Sequence, residues 1–425
     1  MVWDAGTARR NYRALVVDFV GYAIAIGFLD PVAVVPLMLR RLGAGAMIVG
    51  GYAAITLLAF TLPQVFVAHG MHGRQRIKPI LAIANSVTRV PMLLLPAWLW
   101  IGAASPGMRS LTLVAVVATL VFWALGDGAG YVPWLEIMAR SFDERVRGRM
   151  LAATSLVSGV GGLGIAVLVE RILASPRLPF PHNFAVLAII SVVGVQLSLA
   201  GVLALKEPRP ACEPSARSSF GDYLAGLPRL MRSNPTFVRL AAIQLLVGFG
   251  GAPARFYVLF AADRFRLPDA WGGTYQVLQA AGLVAMMPLL ARINERRHPG
   301  AGVRFVAFVC MITPIIALTA GQRSPWLFGI VFLLLGGSLN WGMWIAVNHY
   351  LLSHVSERER PTFIGLLNLL LLPAAVFPIL GGLLYGQSPS AQPGRAPALF
   401  LLTAVVVGAG FLLTLRLPSP KEPAG

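Results

Sequence analysis

Continuous apolar runs of about 20 residues alternate with short polar segments along nearly the whole chain. A helix of about 20 apolar residues crosses a hydrocarbon core about 30 Å thick. The pattern therefore predicts an all-α membrane protein with twelve membrane-spanning helices. These spans are placed near residues 13–39, 46–69, 79–103, 110–139, 149–171, 183–205, 235–262, 271–292, 302–321, 325–353, 362–386 and 397–417.

One longer polar segment, residues 206–234, follows the sixth apolar run. Its second part has apolar residues at helical spacing with arginines beside them, which is typical of an amphipathic helix on a membrane surface. We interpret this segment as a tether between two halves of the chain, and a regulatory or partner-binding helix is the alternative.

Composition supports the membrane location, because 57% of the residues are hydrophobic and only 12% are charged. A soluble domain has about 25% charged residues. The net charge of +18 invites a nucleic-acid interpretation, but the basic residues gather in the short loops. About two thirds of them fall on one side of the predicted membrane, and by the positive-inside rule that side is cytoplasmic. We therefore expect both termini in the cytoplasm of a bacterium, an inner-membrane location and no nucleic-acid partner.

The sequence offers no pattern for catalysis or for a resident cofactor. The two cysteines are Cys212, in the polar segment, and Cys310, in an apolar run, so neither a disulfide framework nor a metal site is predicted. A phosphate-binding loop and a nucleophile–base constellation are also absent from the sequence. These observations argue against an enzyme and against an ATP-driven pump.

The chain contains an internal duplication, because six short patterns recur in the same order in its two halves. One set keeps a constant interval: Phe122, Gly126 and Trp134 recur as Phe332, Gly336 and Trp344. Two halves of six helices in the same orientation are related by an axis along the membrane normal. The predicted organisation is a six-helix bundle at 1–205, a cytoplasmic linker at 206–234 and a second bundle with a short tail at 235–425.

This arrangement resembles the major facilitator superfamily over the whole chain. The family pattern G-x-L-a-D-r-x-G-r-k between the second and third helices corresponds here to HGMHGRQRIKP, residues 69–79. Gly73, Arg74 and the basic residue Arg76 match the pattern, whereas its aspartate has no counterpart. In the family that acid stabilises one closed state, so the resemblance implies that the gate is held differently in this chain.

Two later loops carry more specific matches to the superfamily. SFDERVRGRM, with Arg147 and Gly148, resembles the family's Arg-Gly element after the fourth helix. VSERERPTFIGLLN, with Arg358 and Arg360, resembles its Arg-Pro element after the tenth helix. The resemblance implies gating roles for these loops and places the chain in a bacterial branch without an assigned substrate. The proline–glycine element of antiporters is missing, since residues 158–164 contain glycines but no proline.

Ionisable residues inside apolar spans are costly and are therefore candidate functional groups. At about 1.5 Å per residue, Asp30 lies roughly 25 Å along the first span and Arg255 roughly 24 Å along the seventh. Their separation matches the repeat interval, so we expect them to face each other across the central cavity as a charge pair at the substrate site. The alternative is that one of them caps a helix break beside Pro31 or Pro253.

A second charge pair is predicted within the first half. Arg89 on the third span and Asp127 on the fourth lie at similar depths of roughly 16 and 19 Å, which suggests a buried ion pair. Asp127 serves either as a proton carrier or as a structural partner. Asp18 is placed nearer the cytoplasmic interface, where a solvated acid is expected.

Polar side chains on other spans complete the candidate substrate site. Gln244, Gln276, Asn340 and Trp344 have groups suited to hydrogen bonding or stacking with a solute. The competing interpretation is that they join neighbouring helices, a common use of polar side chains in membranes.

The favoured function is a monomeric secondary transporter that works by alternating access and exports a small amphipathic or drug-like solute, coupled to protons. Its expected partners are that solute, protons and membrane lipids. A symporter or uniporter for a sugar or organic anion is the first alternative, with Arg255 as the anion anchor. A membrane sensor that does not transport is the second.

Overall fold

A computed structural model describes residues 5–71, 74, 76–142, 144–207, 231–296, 300–319, 322–340, 342–355, 360–386 and 395–418. Within these ranges the regular structure is helical and contains no strand. The predicted amphipathic helix of the linker lies outside the described residues.

Long helices occupy the positions of the predicted spans. In the first half they are Ala5–Phe28, Val35–Arg41, Ala46–Met71, Lys78–Arg89, Arg109–Ser141, Glu144–Ala174 and His182–Ala204. The third span continues through short 3-10 and π turns to Gly102. In the second half the helices are Pro235–Gly248, Gly251–Ala254, Phe256–Phe265, Ala270–Arg296, Gly300–Leu318, Pro325–Leu335, Gly342–His354, Arg360–Leu370, Phe377–Tyr385 and Arg395–Thr414.

Ten helical stretches of the described chain are long and apolar enough to cross a membrane. Two further helices, Ala5–Phe28 and Glu144–Ala174, stand where the first and fifth spans are predicted. With 24 and 31 residues they exceed the length that a span requires. Arg9, Arg13 and Asp18 reduce the apolar character of the first of them. Together the helices account for the twelve predicted spans.

The chain forms two compact units, each with its own core. The first unit contains the described residues up to Ala44 and those from Ile55 to Glu207. The second contains Gly45–Ala54 and the described residues from Met231 onward. The helix Ala46–Met71 therefore contributes its first turns to one unit and its remainder to the other.

The first helix of each half is interrupted at a matching place. In the first half the helix Ala5–Phe28 ends, and a short helix resumes at Val35 after the turn that contains Pro31. In the second half the helix that begins at Pro235 ends at Gly248, and short helices follow on either side of Arg255. Proline lacks an amide hydrogen and glycine carries a high helical entropy cost, so both residue types favour such breaks.

Glycines allow the fourth and tenth spans to pack closely on the second span of their own half. A Cβ atom on Gly128 would overlap the backbone carbonyl of Phe60. A Cβ atom on Gly336 would overlap the carbonyl of Gln279 in the same manner. In both units a glycine thus allows close packing between these two spans, although Gly128 and Gly336 are not equivalent positions of the repeat.

Aromatic residues dominate part of the second core. Tyr275 stacks on Phe332 with 4.3 Å between ring centroids and 7° between planes. Tyr257 and Phe400 lie 4.8 Å apart between centroids. Ring pairs of this kind add about 0.5–1.5 kcal/mol beyond the area that they bury.

Candidate functional site

A buried cluster of polar side chains lies inside the first unit. Asp18, Arg89, Asp127 and Ser198 form it, and they come from the first, third, fourth and sixth spans. We call these residues the acid–arginine cluster. Asp18, Arg89 and Ser198 are 7%, 3% and 0% exposed, so the cluster lies in the packed interior of the bundle.

Arg89 and Asp127 form the ion pair that the sequence suggests. Arg89 Nη2 lies 3.2 Å from Asp127 Oδ1, and the two side chains are 4% and 10% exposed. Arg89 Nη1 donates to Ser198 Oγ at 2.9 Å and approaches the carbonyl of Val195 at 3.4 Å. The guanidinium therefore bridges the fourth and sixth spans from its place on the third.

Asp18 belongs to the cluster, and the expectation of a solvated acid was wrong. Its Oδ1 accepts from Ser198 Oγ at 2.5 Å and its Oδ2 accepts from Trp134 Nε1 at 2.8 Å. The reason is close packing by the sixth span, since a Cβ atom at Gly201 would lie 2.6 Å from the amide nitrogen of Asp18. Asp18 is therefore buried by its neighbours on other spans, although it lies only five residues after the exposed Arg13.

The chain of hydrogen bonds joins the two acids through one hydroxyl and one guanidinium. Asp18 accepts from Ser198, and Ser198 Oγ accepts in turn from Arg89, which pairs with Asp127. Tyr22 on the first span also places its hydroxyl against the Asp127 carboxylate. Two carboxylates thus share one guanidinium, and the cluster carries one net negative charge when both acids are ionised.

Two buried donors beside the cluster have no acceptor among the described residues. They are Arg89 Nε and Trp123 Nε1. The Trp123 ring meets the Tyr22 ring edge-on, with 6.2 Å between centroids. A buried donor without an acceptor is unfavourable, so these groups are places where a water molecule or a solute oxygen would be stabilised.

The glycines around Asp127 bring the fourth span against its neighbours. Added Cβ atoms would overlap Thr88 at Gly126, Phe60 at Gly128 and Asn85 at Gly130. Small residues permit close helix approach in a membrane. The GDGAG sequence therefore fixes the distance between Asp127 and the third span, on which Arg89 lies.

Asp30 caps the break in the first span. Its Oδ1 accepts from the backbone amides of Val32 at 2.9 Å and Ala33 at 2.6 Å, and the residue is 8% exposed. This is the structural alternative weighed for Asp30. Arg255 lies at the equivalent break, between Gly251–Ala254 and Phe256–Phe265. The two residues belong to different units, so their pairing stays a prediction.

The remaining candidates for a substrate site differ in their surroundings. Gln276 is 5% exposed and Trp344 is 51% exposed. Gln244 Oε1 is buried and accepts no hydrogen bond from the described part of the chain. The side chain of Asn340, which ends a π turn at Gly336–Asn340, lies outside the described residues.

The sequence profile of the Major Facilitator Superfamily matches residues 19–372. The chain belongs to this superfamily. Membership indicates a membrane transporter of the secondary class rather than an enzyme, and it agrees with the fold of two helical bundles. No curated protein matches the sequence significantly.

Solved structures of the superfamily share the fold at low sequence identity. A bacterial homologue of the iron transporter ferroportin has 14% identity and a TM-score of 0.68, over 96% of this chain and 98% of that one. A D-xylose–proton symporter has 13% identity and a TM-score of 0.68 over the same shares. A bacterial homologue of the lysosomal transporter Spinster has 15% identity and a TM-score of 0.64, over 99% and 100%. Identities this low establish only the fold.

The superfamily loops are described only in part. Arg74 and Arg76 are exposed, and Gly73 and Arg358 lie outside the described residues. Arg147 and Gly148 lie in the helix Glu144–Ala174 and Arg360 begins the helix Arg360–Leu370, but their side chains are likewise outside the description. The gating roles of all seven residues stay predictions.

Glu207 is a functional candidate that the sequence interpretation missed. It lies just after the sixth span, and its carboxylate accepts from the backbone amides of Ile77 at 2.5 Å and Lys78 at 3.2 Å. It also lies 3.7 Å from Arg140 at the end of the fourth span. The superfamily aspartate is missing from the loop before the third span, and Glu207 supplies a carboxylate at that helix start from elsewhere. Its main partners are backbone amides, which leave no signal in a sequence.

Proposed function

We propose that this superfamily member is a proton-coupled transporter that exports a small amphipathic or drug-like solute by alternating access. We place it in a bacterial inner membrane with both termini in the cytoplasm, on the basis of the loop charges, and expect a monomer. Membership of the superfamily supports transport itself. Coupling to protons rests on the acid–arginine cluster.

The main support for proton coupling is that Asp18 and Asp127 share the single guanidinium of Arg89. A net charge at membrane depth costs at least about 2.5 kcal/mol unless it is paired or hydrated. One bound proton would make the cluster neutral, with one acid protonated and the other paired with the guanidinium. Proton binding and release would therefore change the electrostatic energy of packing the first, third, fourth and sixth spans together.

Coupling of this kind makes an ion gradient available for transport. One proton that crosses 100 mV supplies about 2.3 kcal/mol. A solute that binds better to one protonation state of the cluster would then be moved against its own gradient. The preference for an amphipathic solute rests on the indole of Trp344 on the tenth span, a ring suited to stacking with an aromatic or apolar part.

A symporter or uniporter for a sugar or an organic anion is the second candidate. Arg255 at the break in the seventh span and the buried Gln244 Oε1 are suited to a polar solute. The xylose–proton symporter with the same fold illustrates that class. A sensor that does not transport is the third candidate, and it predicts no solute flux.

The test uses purified protein in proteoliposomes that contain a pH-sensitive dye. Ethidium, xylose and benzoate serve as probes for an amphipathic cation, a sugar and an organic anion. We expect solute-dependent proton movement in the wild type and its loss in Asp18→Asn or Asp127→Asn. Exchange of solute between the two sides, which needs no net proton movement, should persist in these variants.

Asp269→Asn is the matched control, because it makes the same change at an acid in the loop between the seventh and eighth spans. It should couple as the wild type does. Normal coupling in both cluster variants would exclude the proposal, as would solute flux that ignores the pH gradient. Flux of xylose or benzoate without flux of ethidium would establish the second candidate instead.

A further inference from the structure

A groove at one edge of the first unit has the chemistry of an anionic lipid site. It has a volume of about 410 Å³ and lies between the start of the helix Ala5–Phe28 and the end of the helix His182–Ala204. Small-molecule sites typically measure about 300–1,000 Å³. Because both helix ends meet there, the groove lies at a membrane surface and not at the bilayer centre.

The wall formed by the first helix is basic. Arg9, Arg10 and Arg13 line it and are all exposed. Arg10 Nε donates to the carbonyl of Ala204 at 2.9 Å, so this side chain reaches across the groove to the end of the sixth span. None of the lining residues, which all belong to the described chain, is acidic. Guanidinium groups bind phosphate through paired hydrogen bonds, which makes phosphate the complementary ligand group.

The floor and the opposite wall are apolar. The two helices touch at Gly201, where a Cβ atom would lie 2.6 Å from the carbonyl oxygen of Ala14. Ala200 and Ala204 line the wall of the sixth span. With Leu197 and Val193 they form a stripe at helical spacing that runs away from the arginines for about 16 Å.

This stripe faces outward along its length. Val193 is 63% exposed and Leu197 is 39% exposed, and Ala200 is also exposed. On a membrane-spanning helix, exposed apolar residues of this kind lie against lipid chains. A continuous apolar track therefore begins where the basic wall ends.

We propose that the groove binds an anionic phospholipid, with the head-group phosphate on the three arginines and one acyl chain along the stripe. Basic pockets at a membrane surface bind such head groups. A choline head group carries a positive charge beside its phosphate, so three guanidinium groups should select against it. The proposal is independent of the solute and of proton coupling.

Native mass spectrometry of the purified full-length protein tests the proposal. The probes are palmitoyl-oleoyl phosphatidylglycerol and phosphatidylcholine with the same chains. We expect the first lipid to bind at least about fivefold more tightly, since one arginine near an anionic membrane surface contributes about that factor. The triple variant R9Q/R10Q/R13Q should lose about tenfold to a hundredfold of this affinity and little of the affinity for phosphatidylcholine.

The charge-matched control is R232Q/R292Q/R296Q, which removes three exposed basic residues from the second unit. Its affinity for phosphatidylglycerol should stay within about twofold of the wild type. The single variants R9Q and R13Q, each expected to lose about fivefold, serve if the triple variant does not fold as judged by its thermal midpoint.

Two further measurements distinguish a bound phospholipid from a bound free phosphate ion. Ala200→Trp places a bulky side chain on the apolar wall and should weaken the binding of phosphatidylglycerol. Ala291→Trp, at an exposed alanine of the eighth span, should leave that binding unchanged. Inorganic phosphate should compete poorly with phosphatidylglycerol for the groove, because it has no acyl chain to lie along the stripe. Equal binding of both lipids, an unaffected triple variant, an unaffected Ala200→Trp variant or effective competition by phosphate would each overturn the proposal.

Discussion

Replacing Arg89 should destabilise the protein far more than replacing either Asp18 or Asp127, the two acids that share its guanidinium. Arg89→Gln leaves Asp18 and Asp127 buried with two negative charges and no counter-charge. Asp127→Asn leaves the guanidinium with Asp18, to which it is linked through Ser198, and the cluster becomes neutral. Asp18→Asn leaves the intact pair of Arg89 and Asp127, and it is neutral as well.

The magnitudes follow from these charge states. At an effective dielectric constant of about 20, unit charges about 4 Å apart attract by about 4 kcal/mol. Breaking a buried pair by removing one partner costs about 3–5 kcal/mol, and this is the loss expected for Arg89→Gln. Each Asp→Asn change removes hydrogen bonds to a charged group but leaves no net charge, so we expect a loss of about 1–2 kcal/mol.

Thermal and denaturant unfolding in one mild detergent would measure these losses, with solute-free protein at neutral pH. The double variant Arg89→Gln with Asp127→Asn should recover part of the loss, because only one negative charge remains. An isolated two-residue ion pair predicts equal losses for Arg89→Gln and Asp127→Asn. Equal losses, or no recovery in the double variant, would refute the shared guanidinium.

Three other predictions concern positions outside the cluster. Glu207→Gln should lower the free energy of unfolding by about 1–3 kcal/mol because a charged acceptor of two backbone amides is lost, whereas Glu136→Gln, an exposed intrahelical partner, should cost less than about 0.5 kcal/mol in the same unfolding assay. Gly128→Ala should cost about 1–3 kcal/mol through overpacking, and Gly161→Ala, which faces open space, should be neutral or slightly stabilising by thermal midpoint. Asp30→Leu should cost about 1 kcal/mol as a lost cap and Asp30→Asn only a few tenths; normal solute flux with Asp30→Asn would favour the capping role over a role in coupling.

The twelve spans and the duplication could be predicted because both depend on patterns that extend over many residues. A span needs about 20 apolar residues, and an error of a few residues at its end does not hide it. The repeat of Gly126 as Gly336 also has a structural counterpart, since each glycine admits a close neighbour from within its own half.

The membership of the acid–arginine cluster could be predicted only in part. Arg89 and Asp127 were recognisable because their helices are adjacent and their depths agree. The burial of Asp18 was missed because it depends on Trp134 and Ser198, which lie on spans far away in the sequence. The position of a residue along its own helix does not tell which side chains of other spans will cover it.

Contacts between a side chain and backbone amides could not be predicted from the sequence. Asp30 bonds the amides of Val32 and Ala33, and Glu207 bonds those of Ile77 and Lys78. Any residue type other than proline supplies an amide, so no partner can be read from the neighbouring side chains. The capping by Asp30 was indicated by the proline that follows it, whereas no residue near Glu207 indicated its contacts.

The interrupted first and seventh spans have a consequence for how each unit deforms. A continuous helix behaves as a single rod, and a tilt at one end is carried to the other. A helix broken at residues 29–34 has no continuous backbone ladder to carry such a tilt from Ala5–Phe28 to Val35–Arg41. The break after Gly248 gives the other half the same joint. We therefore expect each half to bend at the break in its leading helix, beside Asp30 in the first half and Arg255 in the second.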